Sequence, residues 1–314
     1  MNGLVKNRFA QAAGCLSPPL YCILKPYFSK FENSAQEIRL RINRPLSIVC
    51  MKQTYYFTES GGLTDLPCGD TLTVERADID NTFQKLCEYS VYARQKEIVN
   101  GFVTFRGGHR AGICGSAVLS DGKVSNVTDI TSINIRIARE HRGCAEGIFP
   151  EIAKSSGGVL LCGEPCSGKT TMLRDLARLF SVREGAAVSL IDERGELAAC
   201  AMGEPQNDVG LCDVFDGYPR AEAMSCALRC MSPQIIICDE IGGDADAAAV
   251  EQCAGSGVRL IASAHARDRT ELFQRKSLRS ILSSGAFSTL IFLAGRSRAG
   301  VAAITVKLGD SLAA

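Results

Sequence analysis

The 314-residue sequence predicts an α/β fold: a phosphate-loop NTPase domain with a mostly parallel sheet at residues 155–314, preceded by a smaller mixed α/β domain at residues 1–140. Three observations lead to this prediction. A glycine-rich phosphate-binding sequence fills residues 163–170, and apolar strand-like segments alternate with helix-like segments from residue 158 onward. The first 140 residues show short stretches of polar and apolar alternation instead. Residues 141–154 are predicted to be a linker.

The N-terminal domain is expected to contain short strands and one long helix. Ile133, Ile135 and Ile137 alternate with polar or small residues, which gives a strand with one apolar face. Gly107 and Gly108 lie between two strand-like stretches and indicate a hairpin. Strands are predicted at residues 37–42, 46–49, 102–105, 111–119 and 133–137, and a helix at residues 74–96.

The C-terminal domain is predicted to be a strand–helix alternation, which implies parallel strands covered by helices. In such sheets, ligands bind beyond the carboxyl ends of the strands, so residues that follow a strand are candidates for function. The predicted strands are residues 159–162, 187–191, 235–238, 259–264 and 288–293, with residues 301–306 closing the sheet.

The octapeptide at residues 163–170 fits the G-x-x-x-x-G-K-[ST] pattern at every fixed position, and it lies between a predicted strand and a predicted helix. Its main-chain N–H groups would cradle phosphate oxygens at the helix N-terminus. Lys169 would reach the β- and γ-phosphates, and the hydroxyl of Thr170 would hold Mg²⁺. The predicted ATP-binding residues are Gly163, Glu164, Pro165, Cys166, Ser167, Gly168, Lys169, Thr170 and Thr171.

Acidic residues follow two other predicted strands. After residues 235–238, Asp239 is expected to bind the metal and Glu240 to activate water. After residues 187–191 come Asp192 and Glu193; Glu193 is either a second water-positioning group or a salt-bridge partner of Arg194. His265 follows the strand at 259–264 and is either a γ-phosphate sensor or a structural histidine.

Composition argues against several other classes of protein. The net charge of +1 and the absence of Trp give no support for nucleic-acid binding. No apolar run is long enough to span a bilayer or serve as a signal peptide, so we expect a cytoplasmic protein. The 15 cysteines are odd in number and include no C-x-x-C pair, so neither a disulfide framework nor a zinc site is expected.

Several strings together resemble the stage III sporulation protein AA family of endospore-forming bacteria. That family belongs to the secretion-type (type II/IV) ATPases of the RecA-like P-loop class. The resemblance extends from about residue 37 to residue 293. The matching strings are residues 37–41, 134–139, 170–175, 192–196, 219–222, 229–233 and 239–242, together with the phosphate loop.

The resemblance implies a RecA-like P-loop NTPase domain, an N-terminal α/β domain and a hexameric ring. It implies that Arg136 and Arg139 contact the nucleotide phosphates, and it favours catalytic roles for Glu193 and His265, which match the family's acidic and histidine boxes. Members are thought to energise a channel between mother cell and forespore. The expected location is the mother-cell cytoplasm, next to the membrane proteins of that channel.

This chain also departs from the family pattern. Cys166 and Ser167 stand where a third glycine is expected, and residues 210–214 lack an expected basic residue. Asp239 replaces a glycine common in secretion relatives, so the catalytic acid is either Glu193 or Glu240. Two alternatives to a motor ATPase stay open: a nucleotide-gated scaffold with negligible turnover, and a nucleic-acid-dependent ATPase.

Overall fold

The computed structural model describes residues 7–139, 141–155, 157–295 and 298–308. The chain divides into two compact units, Met1–Arg139 and Glu140–Ala314. In the described residues, no helix is long and apolar enough to cross a membrane.

The first unit is built on a seven-stranded antiparallel sheet with the order β4-β3-β2-β1-β7-β6-β5. The strands are β1 (Ala35–Arg41), β2 (Ser47–Cys50), β3 (Thr54–Phe57), β4 (Leu63–Thr64), β5 (Phe102–Phe105), β6 (His109–Ser120) and β7 (Lys123–Arg136). The predicted hairpin at Gly107–Gly108 is present between β5 and β6, and a second hairpin, with its turn at Asp121–Gly122, joins β6 to β7.

In the described part of this unit, five α-helices accompany the sheet: α1 (Arg8–Ala13), α2 (Pro18–Leu24), α3 (Phe28–Phe31), α4 (Arg76–Leu86) and α5 (Gln95–Val99). Alternation along the strands gives the sheet one apolar face, where Ile38, Ile133 and Ile135 are buried against helix residues such as Phe9 and Leu86. Burial of this face holds the unit together.

The single helix predicted over residues 74–96 is wrong, because α4 ends at Leu86. Glu88 and Tyr89 have φ angles of 50° and 60°, in the left-handed region. This lets the Tyr89 N–H donate to Gln84 O at 2.8 Å and the Glu88 N–H to Lys85 O at 3.1 Å, the pattern of a Schellman C-cap. Glycine usually marks such an end, so the apolar spacing alone gave no stop signal.

The second unit contains a seven-stranded sheet with the order β10-β9-β11-β12-β8-β13-β14. All pairs are parallel except β13 with β14. The strands are β8 (Gly158–Cys162), β9 (Val188–Asp192), β10 (Asp213–Asp216), β11 (Ile235–Cys238), β12 (Arg259–Ala264), β13 (Phe287–Leu293) and β14 (Ala302–Lys307). The six strands predicted for this region are thus present within one or two residues of their expected bounds.

Strand β10 was not predicted. It lies at an edge of the sheet, begins and ends with an exposed Asp, and carries no apolar run. Its pairing with β9, rather than its own sequence, makes it a strand.

Helices cover both faces of this sheet: α6 (Phe149–Lys154), α7 (Lys169–Arg183), α8 (Arg220–Cys230), α9 (Asp244–Gly255), α10 (Arg269–Gln274) and α11 (Lys276–Ser283). Along β8, Val159 and Leu161 belong to one core cluster, with Leu176 of α7, whereas Leu160 and Cys162 belong to the other. Helix α6 lies in the segment predicted as a linker and buries Phe149 in this unit.

The strand order fixes which loops meet. Strand β12 lies between β8 and β11, and all three are parallel, so their carboxyl ends share one edge of the sheet. Residues after Cys162, Cys238 and Ala264 are therefore neighbours although they are far apart in sequence.

Candidate nucleotide site

The glycine-rich loop connects β8 directly to the N-terminus of α7. Gly168 has a φ of 94°, and a Cβ there would lie 2.4 Å from Gly300 N, so only glycine fits this position. Gly300 N–H also donates to Ser167 O at 2.8 Å, which fixes the loop from the β13–β14 connection. The loop thus leads into the first turn of α7, whose N–H groups have no intrahelical partner.

Cys166 lies in the part of the loop where the family pattern has a third glycine. Its φ is 64°, a conformation that favours glycine, and its side chain is exposed. The loop therefore keeps a left-handed residue at this point, although the residue is not glycine.

Lys169 is buried at the centre of the site. Its ammonium donates to Gly163 O and Glu164 O, each at 2.8 Å, and lies 3.2 Å from His265 Nδ1. Burial lowers the pKa of Lys169 from its ordinary value, and the Asp239 and Glu240 carboxylates oppose that shift. The ammonium of Lys169 is a charged donor of the kind that binds phosphate oxygens.

Two oxygen ligands suitable for Mg²⁺ meet beside the loop. Thr170 Oγ1 donates to Asp239 Oδ2 at 2.5 Å, and Asp239 Oδ1 accepts a hydrogen bond from Ser263 Oγ. Hydroxyl and carboxylate oxygens are the ligands that Mg²⁺ takes from proteins, usually in ones and twos with phosphates and water completing the shell. The pair Thr170–Asp239 therefore fits the predicted metal site.

Glu240 is held by contacts to both of its carboxylate oxygens. Oε1 lies 2.9 Å from His265 Nε2, and Oε2 forms an ion pair with Arg194 Nη1. Because the Lys169 ammonium can only donate, His265 Nδ1 accepts from it and Nε2–H donates to Glu240. One neutral tautomer of His265 thus satisfies both contacts, and the histidine connects Lys169 to Glu240.

Asp192 holds the main chain of the turn that follows β9. Its two carboxylate oxygens accept four main-chain N–H groups, those of residues 196–199, at 2.7 to 3.2 Å. Every favourable acceptor direction is used, so this carboxylate shapes the turn after β9.

Glu193 also lies at the same sheet edge but has a different partner from Glu240. Its Oε2 accepts from Arg220 Nη2 at 2.7 Å, and Arg220 Nη1 donates to Asp246 Oδ2 at 2.9 Å. Arg220 is only 10% exposed, and Asp246 also accepts the N–H groups of Gly242 and Gly243. The salt bridge between Glu193 and Arg194 that the sequence left open is therefore not the one that forms; Arg194 pairs with Glu240 instead.

The remaining loop residues lie at the surface. Glu164 pairs with Arg267 at 2.8 Å, and Pro165 is exposed. Thr171 is half-buried in the first turn of α7, where its carbonyl accepts a weak hydrogen bond from the Cys144 thiol.

Arg136 and Arg139 belong to the first unit. Arg136 is 72% exposed at the end of β7, with its Nε 3.9 Å from Glu37 Oε1. Arg139 Nη2 donates to Ala35 O at 2.8 Å. The predicted phosphate contacts of these two arginines stay predictions.

Three residues of this site were missed by the sequence reasoning. Ser263 donates to Asp239 and accepts the Glu240 N–H at 2.9 Å; a serine in an apolar strand, two residues before His265, was the available signal. Arg220 lies in the matching string at residues 219–222, but Asp246 had no such signal, and the two meet only in the fold because they are 26 residues apart along the chain. Among the described residues, no cluster of three or more His, Cys, Asp or Glu side chains could hold a metal ion.

The fold is that of the secretion ATPases, which confirms the predicted class. The structure of the Legionella pneumophila ATPase DotB matches with a TM-score of 0.54 and 14% identity, over 86% of this chain and 74% of that chain. The pilus retraction motor PilT, solved with bound ADP, matches with a TM-score of 0.51 and 19% identity, over 86% of this chain and 77% of that chain.

The family predicted from the residue strings is also confirmed. The family model "Sporulation stage III, protein AA" matches residues 7–310. Stage III sporulation protein AA of Bacillus subtilis (strain 168) is 38% identical over 264 residues, which cover 82% of each protein. The chain belongs to the stage III sporulation protein AA family.

Proposed function

We propose that this protein is an ATP-hydrolysing motor subunit that energises a channel between mother cell and forespore. The supporting observation is the series of contacts through Lys169, His265 and Glu240, with Thr170 and Asp239 beside it, at one sheet edge. These are the parts that ATP hydrolysis needs: a cation for phosphate, oxygens for Mg²⁺ and a carboxylate for water. That PilT is a motor and binds ADP, on a similar fold, supports the same conclusion.

In this proposal Glu240 is the general base. It is one imidazole away from Lys169, the residue expected to reach the γ-phosphate. Glu193 is instead fixed by Arg220, which is itself bound to Asp246, so we assign Glu193 a positioning role. His265 would orient the Glu240 carboxylate.

The reaction then proceeds by attack of water on the γ-phosphorus. The water oxygen forms the new P–O bond, its proton passes to Glu240, and the bond to the β–γ bridging oxygen breaks to leave ADP. Lys169 balances charge that develops on the phosphate oxygens. Mg²⁺ held by Thr170 and Asp239 would supply further neutralisation of the β- and γ-phosphates.

The family also suggests the setting in which the subunit works. We propose a hexameric ring in the mother-cell cytoplasm that attaches to the membrane proteins of the channel. Arg136 and Arg139 of the N-terminal unit would contact the phosphates, as the resemblance to secretion ATPases implies.

Phosphate release from ATP by the full chain, together with ATP affinity, tests this assignment. We expect Glu240→Gln to bind ATP and lose at least about 100-fold in turnover, because the amide cannot take the proton. Glu193→Gln should lose less turnover, because in this proposal the Glu193 carboxylate does not take the proton from water. If Glu193→Gln abolishes turnover and Glu240→Gln does not, the two roles are reversed. ATP binding with no turnover by the wild type would indicate a nucleotide-gated scaffold.

A further inference from the structure

Resting on the proposed ATPase function, we propose that Arg194 binds the γ-phosphate of the nucleotide and, without a triphosphate, holds the general base Glu240. On this view the guanidinium moves from the Glu240 carboxylate to the γ-phosphate when ATP binds. Arrival of the triphosphate thereby releases the carboxylate that activates water.

The first argument is the state of Glu240. Arg194 pairs with Oε2 and His265 Nε2 donates to Oε1, so each oxygen keeps one further acceptor direction, and the guanidinium lies against Oε2. A general base needs an oxygen that can accept a proton from water. His265 is itself in contact with Lys169, so Arg194 is the partner whose departure would open the Oε2 side of the carboxylate to water.

The second argument is the position of Arg194 in the chain. Its main chain belongs to the turn that Asp192 fixes through four N–H groups, and Gly195, with a φ of 63°, follows it. Its side chain, however, is 61% exposed, whereas that of Glu240 is 17% exposed. A long side chain on a fixed backbone can change partners without rearrangement of the fold.

The third argument is the contrast with Arg220, the other guanidinium at this cleft. Arg194 and Arg220 both line the cleft that includes Glu193, Asp239 and Glu240. Arg220 is almost buried and bound by Glu193 and Asp246 through separate nitrogens, so exchange would leave two carboxylates without their cation. Arg194, whose side chain is 61% exposed, is the arginine of this pair that can reorient in solvent.

The fourth argument is the chemistry of the exchange. A guanidinium binds phosphate through two parallel N–H donors, and a γ-phosphate carries more charge than a carboxylate. Lys169 contacts His265, His265 contacts Glu240, and Glu240 pairs with Arg194, so a phosphate bound by Lys169 would lie within a few side-chain contacts of Arg194. The triphosphate therefore competes with Glu240 for Arg194, whereas ADP lacks the group that would do so.

The test compares the affinities of a non-hydrolysable ATP analogue and of ADP, measured by calorimetry on the full chain. We expect Arg194→Gln to lower affinity for the ATP analogue by about tenfold or more and to change ADP affinity less than about twofold. Arg194→Lys should fall between, because lysine keeps the charge and loses the fork. Arg183→Gln, which removes another exposed arginine paired with Glu146, is the matched control and should change neither affinity.

A double-mutant cycle with Glu240→Gln gives the sharper result. Removing the Glu240 charge should free Arg194 and raise affinity for the ATP analogue, and this gain should vanish in the Arg194→Gln background. Additive effects of the two changes, or equal losses for ATP analogue and ADP in Arg194→Gln, would overturn the inference. Failure of the wild type to bind either nucleotide would instead remove the proposed function itself.

Discussion

At the scale of single residues, the sequence predicts where Glu193 and Glu240 lie but does not distinguish which of them is the proposed general base. Each acid follows an apolar strand, so both were predicted to lie at the same sheet edge. The choice between them depends on Arg220, Arg194 and His265, whose contacts form only when distant segments meet. The sequence thus predicts both acids at this edge, and tertiary contacts give them different partners.

His109 gives a pH dependence that belongs to this scale. It is fully buried, and its Nδ1 accepts the Ala138 N–H at 3.0 Å. Burial, assisted by the nearby Arg8, lowers its pKa from 6.5 to about 3. Between these two pH values the unfolded state binds a proton that His109 in the folded state does not bind. The contribution of His109 to the free energy of unfolding is therefore present above pH 6.5 and is lost as the pH falls toward 3.

We expect acid to destabilise the wild type more than His109→Asn, which keeps a hydrogen-bond acceptor and does not titrate. Between pH 7 and pH 5 the difference in the free energy of unfolding should be about 2 kcal/mol, from 1.4 kcal/mol per pH unit below the unfolded pKa. Urea unfolding at the two pH values measures it, and carboxylate effects cancel in the comparison. An equal decrease in the free energy of unfolding of the wild type and His109→Asn would contradict the assignment of this pH dependence to His109.

At the scale of elements, the strands were predicted better than the ends of helices. Apolar runs such as Ile235–Cys238 and alternating stretches such as Ala35–Arg41 predict strands from local sequence alone. Strand β10 and the end of α4 escaped prediction because neither is encoded by local apolar spacing. The first depends on pairing with β9, and the second on two non-glycine residues in left-handed conformations.

The end of α4 provides a test of that account. Glu88 has a φ of 50° at the position after the C-cap, where glycine is favoured. We expect Glu88→Gly to stabilise the protein by about 0.5–1 kcal/mol, because relief of the strained φ exceeds the added entropy of the unfolded chain. Gln84→Gly, an exposed site within the same helix, should destabilise by about 1 kcal/mol. Thermal unfolding measures both, and changes of the same sign would contradict the Schellman assignment.

At the scale of the whole molecule, the proposed function includes phosphate contacts by Arg136 and Arg139 of the first unit. Arg136→Ala removes a side chain that is 72% exposed and only loosely paired with Glu37, so the unit should still fold. We expect phosphate release to fall by at least about tenfold, because the arginine would stabilise charge in the transition state. Lys52→Ala, an exposed charge loss in the same unit, is the control. Equal activity of Arg136→Ala and this control would contradict the predicted contact between Arg136 and the phosphates.

The fold class and family of the whole chain were predictable because their signals repeat along the sequence. Strand–helix alternation extends over the second unit, and the matching strings are spread from residue 37 to residue 242. No repeated sequence signal indicates that Glu240 rather than Glu193 is the proposed base, or that Arg194 pairs with Glu240. Both the choice of base and this pairing depend on single side-chain contacts across β9, β11 and β12.

The most direct measurement is phosphate release from ATP by the purified full chain and by Lys169→Ala. Lys169 donates to the loop carbonyls and contacts His265, so it connects the loop to Glu240, the proposed general base. The account predicts Mg²⁺-dependent hydrolysis by the wild type and a loss of at least about 100-fold in the variant, with the circular dichroism spectrum unchanged. Hydrolysis by Lys169→Ala at the wild-type rate would contradict it.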